Sequence, residues 1–260
     1  MVATPPKSLA GTQIVLDGIQ WSTFKALMAD LSEEQDYPLT YRPGQLLIET
    51  RSLNPQNRPG MVLLNGVSWT TYRALMNDVG DGRAWRVTYD QGVLELRMPL
   101  EEHEEPIELM VDFVTVLVDE LGLELRKLGS LTLEREDVER AVEPDSCFYI
   151  QNEPQVRGKK IILSNDPPPD LAIESDYTNS SLNKYAIYAA LGVPELWRYE
   201  KQRLQVYRLV AGTYELSAQS LAFPILPIAE VPEFIEKSKE IGQRAAVRLF
   251  RERIRGLLQD

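Results

Sequence analysis

Residues 167–199 read PPPDLAIESDYTNSSLNKYAIYAALGVPELWRY, and the rest of the chain is organised around them. The pattern predicts strand, turn, helix, strand. Leu171 to Ile173 is a short apolar run after a proline brake, with Glu174 at its end. Side chains of a strand alternate faces, so Asp170, Ala172, Glu174 and Asp176 share one side, and three of these four are carboxylates. Asn179, Ser180 and Ser181 offer helix N-caps. Tyr185, Tyr188, Ala189 and Leu191 predict one helical face, stopped at Gly192. Leu196 to Tyr199 starts the next strand. Lys184 falls in the first turns of the helix, close in sequence to the carboxylate edge. A lysine facing carboxylates is what metal-dependent phosphodiester cleavage requires.

Composition narrows the function classes. The chain has 260 residues, 43% hydrophobic and 26% charged, as expected of a folded soluble protein. A single cysteine, Cys147, excludes an intrachain disulfide framework and a cysteine metal cluster. A single histidine, His103, excludes His-rich zinc chemistry. The first ten residues lack a signal-peptide core, and Leu109 to Leu121 is too short to span a bilayer. These features predict a cytoplasmic protein with no membrane partner. The net charge of −11 argues against broad nucleic-acid affinity but leaves room for a local site. The acid is uneven: residues 101–145 hold 15 acidic against four basic side chains.

Before this region lies an internal repeat. Leu16 to Ile48 aligns without gaps on Leu64 to Leu96, 48 residues later. Gly18 and Gly66, Trp21 and Trp69, Asp30 and Asp78, and Tyr41 and Tyr89 are identical pairs. Each copy predicts a helix followed by a β-hairpin, turning at Pro43-Gly44 and at Gln91-Gly92. Residues 54–60 form a linker by their turn chemistry. A helix is expected from about Ile107 to Leu121, and strands at Leu131 to Leu133 and Pro144 to Ile150. A basic amphipathic helix is expected over 237–255. The domain reading is a tail and first repeat (1–60), a core holding the second repeat (61–230) and a basic C-terminal helix (231–260).

Several motifs together resemble one family. Pro144-Asp145 before a strand, Pro169-Asp170-Leu171-Ala172-Ile173-Glu174, Lys184 with Tyr188, and Gly192-Val193-Pro194-Glu195-Leu196-Trp197 are similar to the Uma-two group of restriction-endonuclease proteins. That group lies within the PD-(D/E)XK nuclease superfamily. Met98, Pro99 and His103 match the head of that family's first core helix. The resemblance covers roughly residues 66–216. It implies an α+β fold with an α/β-type core: a restriction-endonuclease-like, four-stranded mixed sheet flanked by helices, here preceded by the duplicated helix-hairpin unit. It also implies a divalent metal site.

Phosphodiester hydrolysis needs a nucleophilic water and cover for charge on the non-bridging oxygens, which Mg²⁺ or Mn²⁺ supplies through oxygen ligands. Asp145 and Glu174 are the expected ligands, and Asp176 is a candidate third. Lys184 is expected to orient the water or stabilise the phosphoryl charge. The superfamily commonly places that lysine two residues after the glutamate, where this chain has Asp176. His103 is a candidate general base. Each has a plainer alternative: a strand-start residue for Asp145 and Asp170, a solvated helix residue for Lys184, a surface histidine for His103. The expected activity is Mg²⁺-dependent endonuclease cleavage of DNA, with a homodimer allowed. The rivals are a catalytically inactive binding or assembly module and a small phosphoester hydrolase.

Overall fold

The structure, a computed structural model, describes residues 13–31, 37–49, 61–80, 83–98, 101–129, 131–175 and 182–259, with backbone alone for 101–104. Contacts divide the chain into two compact units, Met1–Pro99 and Leu100–Asp260.

The first unit contains the repeat. Its first copy is β1 (Gln13–Ile19), α1 (Trp21–Asp30), β2 (Leu39–Arg42) and β3 (Gly44–Glu49). The second is β4 (Met61–Asn65), α2 (Trp69–Val79), β5 (Arg86–Asp90) and β6 (Val93–Arg97). The sequence pattern foretold the helices and hairpins but not the leading strands β1 and β4. Those strands pair antiparallel with β3 and β6, so the hairpin is widened to three strands. Equivalence reaches single atoms. The hydroxyl of Tyr41 donates to the Ile19 carbonyl at 3.3 Å, and that of Tyr89 to the Val67 carbonyl at 2.9 Å. Phe24 stacks on Tyr41 as Tyr72 stacks on Tyr89, with centroids 4.7 and 4.8 Å apart.

The copies also hold each other. The Asp78 carboxylate accepts from the Gln20 backbone N–H at 2.8 Å, and the Asp30 carboxylate accepts from the Ser68 N–H at 2.8 Å. Each thus satisfies an orphan donor at the start of the other copy's helix. Burial works to raise the Asp30 pKa, but hydrogen bonds from Ser68 and Thr71 together hold it below the usual range. Gly18 lies against the Asp78 carbonyl and Gly66 against the Asp30 carbonyl. Contact i-to-j matched by j-to-i is the signature of an isologous pair. The duplication has therefore produced a two-fold pair within one chain.

The second unit opens with α3 (Glu101–Leu121), which runs through Pro106 instead of starting after it. Next come β7 (Arg126–Leu128), β8 (Leu133–Arg135), β9 (Arg140–Val142), β10 (Ser146–Tyr149), the short α4 (Glu153–Val156) and β11 (Leu171–Ser175). The chain continues with α5 (Lys184–Leu191), β12 (Glu195–Glu200), β13 (Arg203–Val210) and β14 (Thr213–Ser217). It ends with α6 (Val231–Ile241) and α7 (Gln243–Gln259). The expected single basic helix is thus two, because Gly242 at φ 88° breaks it. Among the described residues the central sheet has six strands in the order β14-β13-β12-β11-β10-β7, two more than the resemblance implied. It is mixed: β11 and β12 are parallel, and the other neighbours antiparallel.

Strand alternation splits the core into two layers. Phe148, Leu171, Ile173, Trp197, Tyr199 and Val206 pack with α3, α6 and α7 on one face. Cys147, Ala172 and Leu196 pack with α5 on the other. Cys147 is the small buried residue expected of it, and burial pushes its thiol up to about 12. By the same parity Asp145 and Glu174 face α5.

The acidic stretch and the basic C-terminus answer one another. Arg244 pairs with Asp112, Arg251 with Asp119 and Glu120, and Arg255 with Glu120. Arg253 reaches Glu230. These bonds lie over an apolar seam that includes Phe113 and Phe250, 4.4 Å apart. Arg244, Arg251, Arg253 and Arg255 of α7 therefore serve packing within the unit, the plainer reading of a basic amphipathic helix.

Candidate active site between strands β10 and β11 and helix α5

The site starts from strand register. Ser146 pairs with Ile173 across the antiparallel β10–β11 ladder. One step further along, Asp145 stands opposite Glu174. The Asp145 carboxylate is fixed there by Ser175, which donates its backbone N–H at 2.7 Å and its hydroxyl at 3.2 Å. Two carboxylates 29 positions apart in sequence thus share one edge of the sheet.

Helix α5 supplies the third group. Its N-cap is Asn183, whose side chain accepts from the Ala186 N–H, not the Asn179 to Ser181 stretch expected from sequence. That stretch lies outside the described residues. Gly192 closes the helix in the left-handed conformation at φ 81°. Arg135 and Arg140 of the β8–β9 hairpin donate to the Ala190 and Ala186 carbonyls and tie the helix to that hairpin. Lys184 is the first residue of α5 and Tyr188 follows four later, so both present to the same side. The Lys184 ammonium lies 2.7 Å from Oε2 of Glu174. The Tyr188 hydroxyl donates to Oε1 of the same carboxylate. Glu174 is 3% exposed, Lys184 8% and Tyr188 0%, so the charges meet out of water. Burial drives the Tyr188 pKa well up, and the charge of Glu174, its hydrogen bond and the charge of Asp145 push the same way. The phenol is a fixed neutral donor.

The expected site residues divide as follows. Glu174 and Lys184 meet; Asp145 lies across the strand pair, bonded to Ser175, the neighbour of Glu174. His103 lies in the first turn of α3, and its side chain falls outside the described residues, as does Asp176 altogether. Among the described residues no three His, Cys, Asp or Glu side chains group as a metal-binding cluster.

Asp170 has a different task from Asp145, although both follow proline. Its carboxylate accepts from the Ile150 N–H at 2.6 Å, the Asn152 N–H at 2.9 Å and the Asn152 amide at 2.7 Å. It ties the turn after β10 to the start of β11, at the opposite end of these strands from Glu174. The basic loop 157–160 follows that turn. There Arg157 pairs with Glu153, and Lys159 with Asp166.

Sequence reasoning left two functional neighbours without a role. One is Ser175, which holds Asp145. The other is Tyr188, which the four-residue spacing from Lys184 signals. It also assigned nothing to Glu195, which is 0% exposed. That carboxylate accepts from the Trp197 indole, the Ser220 hydroxyl and the Leu221 and Ala222 N–H groups, and so pins the segment after β14 to β12.

Residues 69–235 match the model of the Uma2 family, described as "Putative restriction endonuclease". That span is well over half of the chain, and the protein belongs to this family. A solved structure similar to it is a "putative nuclease belonging to DUF820" from Anabaena variabilis. The two are 18% identical with a TM-score of 0.40, over 62% of this chain and 90% of the other. No curated protein is similar enough to count as a relative. No helix among the described residues is long and apolar enough to cross a membrane.

Proposed function

We propose that this member of a nuclease family is a divalent-metal-dependent endonuclease that hydrolyses phosphodiester bonds in DNA. What supports the reading is the buried Lys184–Glu174 pair at the sheet edge where the β10–β11 register, continued one step, sets Asp145 opposite Glu174. A buried lysine–glutamate pair beside a second strand-end carboxylate is the kind of charged cluster that marks functional sites.

The donors suit a hard cation. Both are carboxylates, and an oxygen that accepts one hydrogen bond has a second lone pair. Asp145 and Glu174 would hold Mg²⁺ or Mn²⁺, with Asp176 as a further ligand. When bound, such an ion supplies Lewis-acid cover for phosphoryl oxygens and a more acidic water. The chain's own residues do the rest. Ser175 fixes one oxygen of Asp145 at the strand end next to Glu174. Lys184 holds an ammonium beside Glu174, where it stabilises negative charge developing on the phosphoryl oxygens, and low local dielectric strengthens that effect. His103 would serve as general base.

The test is cleavage of supercoiled plasmid by purified protein, with Mg²⁺ and with chelator. Wild type should nick or linearise the plasmid only with the metal. Lys184→Ala and Glu174→Ala should each lose about two orders of magnitude in rate, roughly 3 kcal/mol. Folded protein inactive on every nucleic acid would support the binding-module alternative instead.

A further inference from the structure

We propose that the first repeat copy is a self-association surface. The outer edge of β2, with the aromatic ridge of Trp21, Phe24 and Tyr41 beside it, pairs with the same surface on a second copy of this chain.

The two repeat copies carry one ring arrangement with opposite burial. In the second copy Trp69 lies 5.0 Å from Tyr72 and 5.4 Å from Tyr89, and the two tyrosines are 4.8 Å apart. All three are interior, at 8%, 0% and 0% exposure. In the first copy Trp21 lies 5.4 Å from Phe24 and 5.2 Å from Tyr41, and Phe24 lies 4.7 Å from Tyr41. Here Trp21 is 55% exposed, while Phe24 and Tyr41 are half-buried. Met28, one helical turn beyond Phe24, extends the ridge and is 44% exposed. Rings packed as an interior but left facing water mark an interaction surface.

The strand beside the ridge is open to pairing. Among the described residues the first copy's sheet runs β1-β3-β2 and ends at β2. In the β2–β3 ladder Leu39 stands opposite Ile48 and Tyr41 opposite Leu46. The Glu49 N–H donates to the Pro38 carbonyl at 3.0 Å, which fixes the alternation of that ladder. Thr40 and Arg42 therefore bond inward to β3, and the backbone groups of Leu39 and Tyr41 point outward. Such an edge is a template for another strand. About a two-fold at Thr40, Leu39 of each copy exchanges both backbone bonds with Tyr41 of the other. This register keeps both α1 helices on one face of a continuous sheet, so the two ridges flank the junction.

Charge selects the occupant. Residues 1–99 hold nine basic and ten acidic side chains, whereas residues 100–260 hold 19 and 29. Association through the near-neutral unit brings little like charge together, although the whole chain carries −11. The same balance offers a phosphate backbone no positive field.

Sedimentation equilibrium of the full-length protein across the micromolar range tests this. Wild type should sediment as a dimer. Trp21→Glu sets like charges on both ridges and should weaken dimerisation by about thirtyfold or more, the loss expected at an aromatic hot spot. Because Trp21 is exposed, the melting curve followed by circular dichroism at a dilution where both proteins are monomeric should not change. Leu216→Glu is the control: this side chain is 65% exposed on β14, in the other unit, and its loss should leave the dimer intact. A monomeric wild type would overturn the proposal, and so would a dimer that survives Trp21→Glu. A monomer whose binding to single-stranded DNA is lost in Trp21→Glu would assign the ridge to nucleic acid and overturn it too.

Discussion

The Lys184 ammonium rests 2.7 Å from Glu174 Oε2, joining the first residue of α5 to the fourth residue of β11 in a buried ion pair. Two desolvated charges are tolerable only together. Removing either one leaves the other buried and unmatched, at a cost of roughly 3–5 kcal/mol. Lys184→Met and Glu174→Leu should each lower the urea midpoint sharply. The double substitution should be more stable than the sum of the single losses implies. Additive losses would show that the pair is not coupled.

The two Pro-Asp motifs should separate cleanly by mutation. Asp170→Ala strands the Ile150 and Asn152 donors, so stability should fall by about 2–4 kcal/mol while the Asp145–Glu174 edge persists. Asp145→Ala should cost less stability and abolish divalent-ion binding. Calorimetric titration with Mn²⁺ beside denaturant unfolding of both variants measures each effect.

Gly18 and Gly66 should respond alike. Their φ angles are +84° and +87°, and an added Cβ would come within 2.5 Å of the Asp78 carbonyl oxygen and 2.8 Å of the Asp30 carbonyl oxygen. Both the left-handed backbone and the close backbone approach disfavour alanine. Gly18→Ala and Gly66→Ala should each cost at least about 1–3 kcal/mol. A scanning-calorimetry melting temperature unchanged by either would contradict the reciprocal contact.

The docking of α7 on α3 should weaken in acid. A hydrogen bond from Arg255, opposed by burial and aided by Arg251, holds the Glu120 pKa below the ordinary value. A lowered folded pKa gives stability that is present above the unfolded value of about 4.3 and is lost as pH falls through the folded one. Glu120→Gln should therefore be less stable than wild type near neutrality. The gap should close between about pH 5 and pH 3. Urea midpoints across that range measure it, and a gap independent of pH would contradict the account.

How far the sequence discloses this molecule depends on whether a feature is local. The repeat is legible because identical residues recur at one offset, and the reciprocal caps fall on two of them, Asp30 and Asp78. The strand–helix–strand centre is legible because proline and glycine punctuate it. The start of α3 is not, because a proline at 106 signals a boundary that the helix passes through. The division of the C-terminus at Gly242 is missed because both halves carry the same amphipathic charge pattern. Asp145 and Asp170 look equivalent as Pro-Asp pairs, and only tertiary partners separate them. Ser175 holds Asp145 through a backbone N–H, a donor every residue but proline carries, so no residue type announces it.

In the proposed function Asp145 and Glu174 share one cation, which anomalous diffraction from crystals grown with Mn²⁺ can locate. A single strong peak is expected between these side chains, about 2.1–2.2 Å from one oxygen of each, and should vanish in Glu174→Gln. Saturating Mn²⁺ with no peak there, or a peak that survives the substitution, would rule out the shared ion.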